Sequence, residues 1–137
     1  GEAAHHPPGA EVATVTASPD EAAAAADPLL NGLPARFPAH AVHWQSALRL
    51  PEGAVRLAGS EHEPIHAFRV GGHAWGVQFH PEFDADAMRG YIEMLAGELA
   101  SKGADPVAMR ERVVDTDAAA SLLGRFARIV ETRHGVA

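Results

Sequence analysis

The sequence predicts an α/β domain, and three observations carry that expectation. Strand-like segments crowd the stretch before Phe83, and apolar stripes of helical period follow it. The 137 residues, 47% hydrophobic and 21% charged, are enough to bury one real core and too apolar for a disordered chain.

Gly1 to Gly9 holds His5, His6, Pro7 and Pro8 and reads as an irregular entry. From Glu11 to Ser18, Val12, Thr14 and Thr16 alternate with Ala13, Val15 and Ala17, the period of a strand that Ser18-Pro19-Asp20 ends. The alanine run that follows is punctuated by Asp20, Glu21 and Asp27 and reads as a short surface helix or loop. Asp27-Pro28-Leu29-Leu30-Asn31-Gly32-Leu33-Pro34 is turn chemistry around a few apolar anchors, and Phe37 to Trp44 reads as another short strand. Ala54 to Ala58, then Ile65 to Val70 and Ala74 to Phe79 joined across Gly71-Gly72, predict three consecutive antiparallel strands. Trp75 and Phe79 are expected in the core.

Beyond Phe83, Met88, Tyr91, Ile92, Leu95 and Leu99 predict one helix capped by Asp84 and stopped by Gly103. Pro106 starts a second, with Val107, Met109 and Val113. Asp115-Thr116-Asp117 caps a third, striped by Leu122, Leu123, Phe126, Ile129 and Val130 and ending near Gly135. These stripes need a broad sheet to cover them. Without further polypeptide, Tyr91, Ile92, Leu95 and Leu99, and Leu122, Phe126 and Ile129, are expected to lie open.

Eleven Lys and Arg against 18 Asp and Glu leave a net charge of −7, which argues against a general nucleic-acid binder or a protein held on anionic lipid. No apolar run reaches the roughly 18 residues of a membrane helix, and the opening residues lack the basic stretch of a secretory signal. A cytoplasmic protein is the expectation. The cysteine count is zero, which removes disulfides, thiolate metal sites and a cysteine nucleophile supplied by this chain.

The segment richest in chemistry is Gly76-Val77-Gln78-Phe79-His80-Pro81-Glu82-Phe83. Side chains two apart on an extended chain point the same way, His80 is kept extended by the proline after it, and Pro81 has no N–H with which to continue a ladder. An imidazole and a carboxylate are therefore expected to project together from a strand end. The carboxylate can accept the Nδ1 proton and fix the tautomer, leaving Nε2 free as general base and then acid. In isolation a His-x-Glu pair is common.

The surrounding residues are not. Gly76-Val77-Gln78-Phe79-His80-Pro81-Glu82 resembles the signature of the class I (triad) glutamine amidotransferases. The approach is similar as well: Leu50-Pro51-x-Gly53-Ala54, Leu57-Ala58-x-Ser60, Pro64, Ala67-Phe68 and Ala74-Trp75. The pattern looks most like glutaminase-type proteins related to the amidotransferase domain of GMP synthase, over about Leu29 to Phe83.

The resemblance implies a three-layer α/β/α, flavodoxin-like fold to which this chain supplies the later strands and C-terminal helices. Residues 1–103 would be the C-terminal half of an amidotransferase domain and 104–137 a helical extension packed on it. It also implies L-glutamine as substrate, hydrolysed to glutamate and ammonia through a glutamyl thioester by a Cys-His-Glu triad, with no cofactor. His80 matches the catalytic histidine and Glu82 the acid that orients it. His43 falls where the family has a Ser-His-x-Asp segment lining the glutamine pocket, although Val42 and Gln45 replace the Ser and Asp. The residues themselves fit a partly buried structural histidine equally well. The cysteine elbow is absent, so the expectation is a missing N-terminal half that carries it, with a chain starting at Gly1 rather than Met being incomplete. A synthase or ammonia-acceptor partner would receive the ammonia. The alternative is a catalytically inactive amidotransferase-like binding or regulatory module.

His62-Glu63-Pro64-Ile65-His66 formally matches the zinc-protease pattern H-E-x-x-H, which works only on a helix that Pro64 forbids, so no metal is expected. His5, His6, His40, His73 and His134 are scattered among turns and termini and are expected mostly to face solvent. Asp84-x-Asp86 and Asp115-x-Asp117 sit at helix starts, where N-capping explains them.

Overall fold

A computed structural model describes residues 2–5 and 11–133. Strands β1 (Glu2–His5), β2 (Glu11–Pro19), β3 (Phe37–His43), β4 (Gln45–Arg49), β5 (Ala54–Gly59), β6 (Ala67–Val70) and β7 (Ala74–Val77) precede all but one of the helices. These are α1 (Glu21–Ala25), α2 (Ala85–Met94), α3 (Ala96–Ser101), α4 (Pro106–Glu111) and α5 (Asp117–Arg133). The main sheet runs β3-β2-β5-β6-β7, and β1 pairs with β4 beside it. Every pairing among the described residues is antiparallel.

Alternation along β2 and β3 builds the layers. Ala17, Phe37 and Ala39 face one side, where Leu29, Leu30, Leu57, Phe79 and Leu122 complete a core. Val12, with Val42 beside it, faces the other, against Met88, Ile92, Leu99 and Val113. Helix α5 packs on β3 and helix α2 on β2, so helices cover both faces of this strand pair. The sheet also curls. After β7 the chain leaves the ladder, Gln78 N–H donates to the His66 carbonyl (2.8 Å), and His80 N–H donates to the His40 carbonyl of β3 (2.7 Å). The far end of the sheet thus closes back on its first strand and sets His80 against β3.

Several local expectations stand. Asp84 Oδ1 accepts from Ala87 N–H at 2.7 Å, Pro106 opens α4, and Gly103 leaves its helix at φ +88°. Asp27, fully buried, accepts from the N–H groups of Leu29 and Leu30 and from the Trp75 indole, and pairs with Arg69. One turn residue therefore ties the 27–31 loop to the β6–β7 hairpin.

Other expectations are corrected. Glu2–His5 in the supposed irregular entry is strand β1, held by β4, an element that no local pattern announces. Residues 6–10 and the expected helix end near Gly135 lie outside the described residues. Ile65, His66, Gln78 and Phe79 fall outside β6 and β7, because the curl spends their backbone groups on cross-connections instead of a ladder. The single helix expected between Asp84 and Gly103 is two, broken at Leu95, whose backbone is not helical. His40 is wholly buried between β3 and α2's side of the sheet, not solvent-facing; His73 is exposed. The α2 stripe is not open: Met88 and Ile92 are fully buried by Val12 and Val113 of this chain, and Leu99 and Leu122 are buried too. Of the residues expected to lie open, only Tyr91 and Phe126 are exposed, by 36% and 47%, Phe126 edge-on to Trp75.

Candidate active site

His80 and Glu82 meet as their spacing requires. The His80 ring donates from Nδ1 to Glu82 Oε1 at 2.7 Å. They do so beyond the strand rather than on its end, since β7 stops at Val77. Two forces hold the ring. Its backbone N–H is tied to β3, and its face stacks on Phe83 (centroids 4.3 Å, 6°), which stacks in turn on Tyr91 of α2 (4.9 Å, 18°). A turn over residues 80–83, with Phe83 N–H donating to the His80 carbonyl (3.2 Å), folds the Glu82 carboxylate back on the ring.

Nε2 is not free, contrary to expectation: it lies 3.2 Å from the Val42 carbonyl oxygen. A carbonyl only accepts, so this contact needs a proton on Nε2 as well as on Nδ1. About 35% of the His80 side chain is nevertheless open to solvent, and the Val42 contact is long. Nε2 is thus held by one long contact to a backbone carbonyl.

His43 lies in a different environment. Its Nδ1 donates to the Gln45 carbonyl (2.8 Å) and its Nε2 to Glu11 Oε1 (3.1 Å), across the β2–β3 pairing that sets Glu11 opposite His43. The same Glu11 oxygen lies 3.2 Å from Nε2 of His66, at ion-pair distance but off the line of a hydrogen bond, so that it bridges two imidazoles. Burial pushes the Glu11 carboxyl upward, but the contacts with His43 and His66 and their charges outweigh it and hold the group at about 2. Burial likewise pushes His43 down, and the Glu11 hydrogen bond, the Gln45 carbonyl and the charges of Glu11 and Glu63 outweigh it and raise its pKa. His40, on the opposite face, hydrogen-bonds Thr14 Oγ1 at 3.0 Å. Burial lowers its pKa, over the opposing effect of Asp84 and Asp115 and with a contribution from Arg89.

Glu11 and His66 were missed by sequence reasoning as members of any site. Glu11 reads as the polar start of a strand, and its partners lie 32 and 55 residues away, so no local spacing announces them. The stretch His62 to His66 is not helical, with Ile65 N–H bonded to Glu63 Oε1, so the two histidines do not share a helix face. Among the described residues, no group of three or more His, Asp or Glu is placed to hold a metal ion.

No family model matches the chain. It is 44% identical over 54 residues to a glutamine-hydrolysing GMP synthase of Aeropyrum pernix, a match covering 39% of this chain and 10% of that protein. It is 42% identical over 57 residues to one subunit of the glutamine-hydrolysing GMP synthase of Methanoculleus marisnigri, covering 41% and 31%. A solved glutamine amidotransferase from Methylobacillus flagellatus superposes with a TM-score of 0.70 at 25% identity, over 95% of this chain and 55% of that one. The fold is that of the class I glutamine amidotransferases. The amidotransferase-like chain spans about half of that solved structure and between a tenth and a third of these two GMP synthase sequences. No described helix is long and apolar enough to cross a membrane.

Proposed function

We propose that this chain supplies the histidine–carboxylate half of a glutamine-hydrolysing site. The observation that carries the reading is the 2.7 Å contact between His80 and Glu82, on a segment that matches the amidotransferase signature and with Nε2 turned away from the carboxylate. With no cysteine in the chain, the nucleophile comes from other polypeptide, the missing half of the domain.

In this chemistry His80 Nε2 takes the thiol proton, and the thiolate attacks the side-chain amide carbon of L-glutamine. The imidazolium, steadied by Glu82, returns the proton to the departing nitrogen, so ammonia leaves and a glutamyl thioester remains. Water, deprotonated by the same nitrogen, attacks the thioester and releases glutamate and the thiol. The relatives named as GMP synthases, one of them as a separate subunit, support delivery of the ammonia to a synthase partner. His43, proposed from its position as a glutamine-pocket residue, has both ring nitrogens engaged by Gln45 and Glu11 and so shapes the pocket wall rather than contacting substrate through its ring.

Lack of a cysteine favours one rival, an inactive binding module of the same fold. Ammonia and glutamate release by the complete protein, with and without His80→Asn, separates them. Glutamine hydrolysis that disappears with the substitution supports the enzyme. Glutamine binding without hydrolysis, in protein that includes an elbow cysteine, establishes the module.

A further inference from the structure

We propose that Glu11 is the positioning residue of the His80 site, its one carboxylate oxygen tying together His43 and His66, which sit on the two backbone segments that hold His80. The inference rests on the catalytic reading of His80 for its meaning, though not for its geometry.

Each of the two histidines marks a segment that touches the 78–80 turn. His43 follows Val42, whose carbonyl meets His80 Nε2, and closes the strand whose His40 carbonyl accepts the His80 N–H. On the other side, the His66 carbonyl accepts from Gln78 N–H, and its ring packs on Phe79 (centroids 6.1 Å), the residue just before His80. Gln78 binds the same two neighbourhoods a second time, donating its side-chain amide to the Ile65 carbonyl and accepting from Ala47 N–H of β4. Among the described residues β3 pairs only with β2, so no ladder joins its end to residues 65–66. Glu11, from β2, makes that connection.

The bridge has the properties of a fixed strut. Glu11 is buried, His66 is completely so, and only about 14% of the His43 side chain is open. A carboxylate taken out of water is tolerated only where it is bonded or paired, and the hydrogen bond from His43 Nε2, with His66 Nε2 close to the same oxygen, answers that need. The groups facing the bridge are Glu63, whose charge also favours the His43 cation, and the Gln45 carbonyl. Neither His66 ring nitrogen makes a hydrogen bond, so the bridge consists of the His43 hydrogen bond and the 3.2 Å approach of His66 Nε2 to the same oxygen.

The test uses the full chain and nuclear magnetic resonance of its histidine rings and backbone amides, so no glutaminase activity is needed. With Glu11→Gln, His43 titrates at a lower pH than in the native chain, and the His80 and Gln78 amides exchange with solvent about tenfold faster or more. The amides of Leu57 and Ile92, in the two cores, change far less. Glu11→Asp keeps the charge and shortens the reach, so it restores the His43 titration in part and serves if Glu11→Gln does not fold. In the complete enzyme, Glu11→Gln lowers kcat about tenfold with the KM for glutamine within about twofold, and Glu11→Asp recovers part of it. Unchanged His43 titration and His80 exchange overturn the proposal. So does exchange that quickens equally at Leu57 and Ile92, because Glu11 is then merely a core residue. If the complete native protein releases no ammonia while the exchange results hold, the strut stands and the catalytic reading of His80 falls.

Discussion

The molecule contains two histidine–carboxylate arrangements a few residues apart in space and opposite in character. His80–Glu82 is short at 2.7 Å yet open, with 35% and 53% of the two side chains in solvent, and it is closed by residues two apart. The Glu11 bridge is longer at 3.1 and 3.2 Å but buried, and it joins three separate segments. Identical functional groups therefore serve different ends. In the open pair solvent screens the charges, so the contact contributes little to stability. In the buried bridge each group depends on the others, because losing one leaves an unpaired charge out of water.

The largest expected effects come from breaking the open pair chemically. His80→Ala in the complete protein is expected to cut glutamine hydrolysis by about 10² to 10⁴, the usual loss of a general acid–base group. Its thermal unfolding should shift little, and a paired assay and calorimetric scan check both at once. Breaking the buried bridge adds a loss of stability to a smaller loss of activity. Glu11→Ala is expected to cost about 3–5 kcal/mol of stability, visible in a urea titration as an earlier midpoint with an unchanged slope.

Intermediate effects sharpen the contrast. Glu82→Gln keeps a hydrogen-bond acceptor but replaces a charged partner with a neutral one, a difference of about 1 kcal/mol, so activity should fall about fivefold. Removal of the stacked ring in Phe83→Ala should cost less again, at the low end of the 0.5–1.5 kcal/mol or so of an aromatic pair, and show as about a twofold loss of kcat.

Stability against pH reads the buried groups alone. Glu11, held down at about 2, contributes stability fully present above its ordinary 4.5 and lost as pH falls from there toward 2. His43, held up, contributes stability fully present below the ordinary 6.5 and lost as pH rises through its raised value. The lowered pKa of His40 works the other way: its contribution is present above 6.5 and lost as pH falls below that. Unfolding free energies measured from pH 3 to 9 should therefore decline on both sides. Glu11→Gln should flatten the alkaline limb and the part of the acid limb below 4.5, leaving the part due to His40. A profile unchanged by Glu11→Gln would remove the bridge from the account.

Whatever is settled within a few residues was legible in the sequence. His80 reaches Glu82 across one proline, Asp84 caps the helix it precedes, Pro106 opens the helix it begins, and Asp27 closes the loop it opens, all through backbone geometry that needs no distant partner. The alternation of β2 and β3 likewise set which residues face each core, since side-chain direction follows from position along a strand. The rest came from the packing of distant segments. The pairing of Glu2–His5 with β4, the curl that lays His80 on β3, the Val42 carbonyl at Nε2 and the meeting of Glu11 with His43 and His66 all join residues tens of positions apart. Local propensity carries no term for such contacts. A charged residue opening a strand looks the same whether it ends in water or under two imidazoles, and only the packing of three segments against one another distinguishes them.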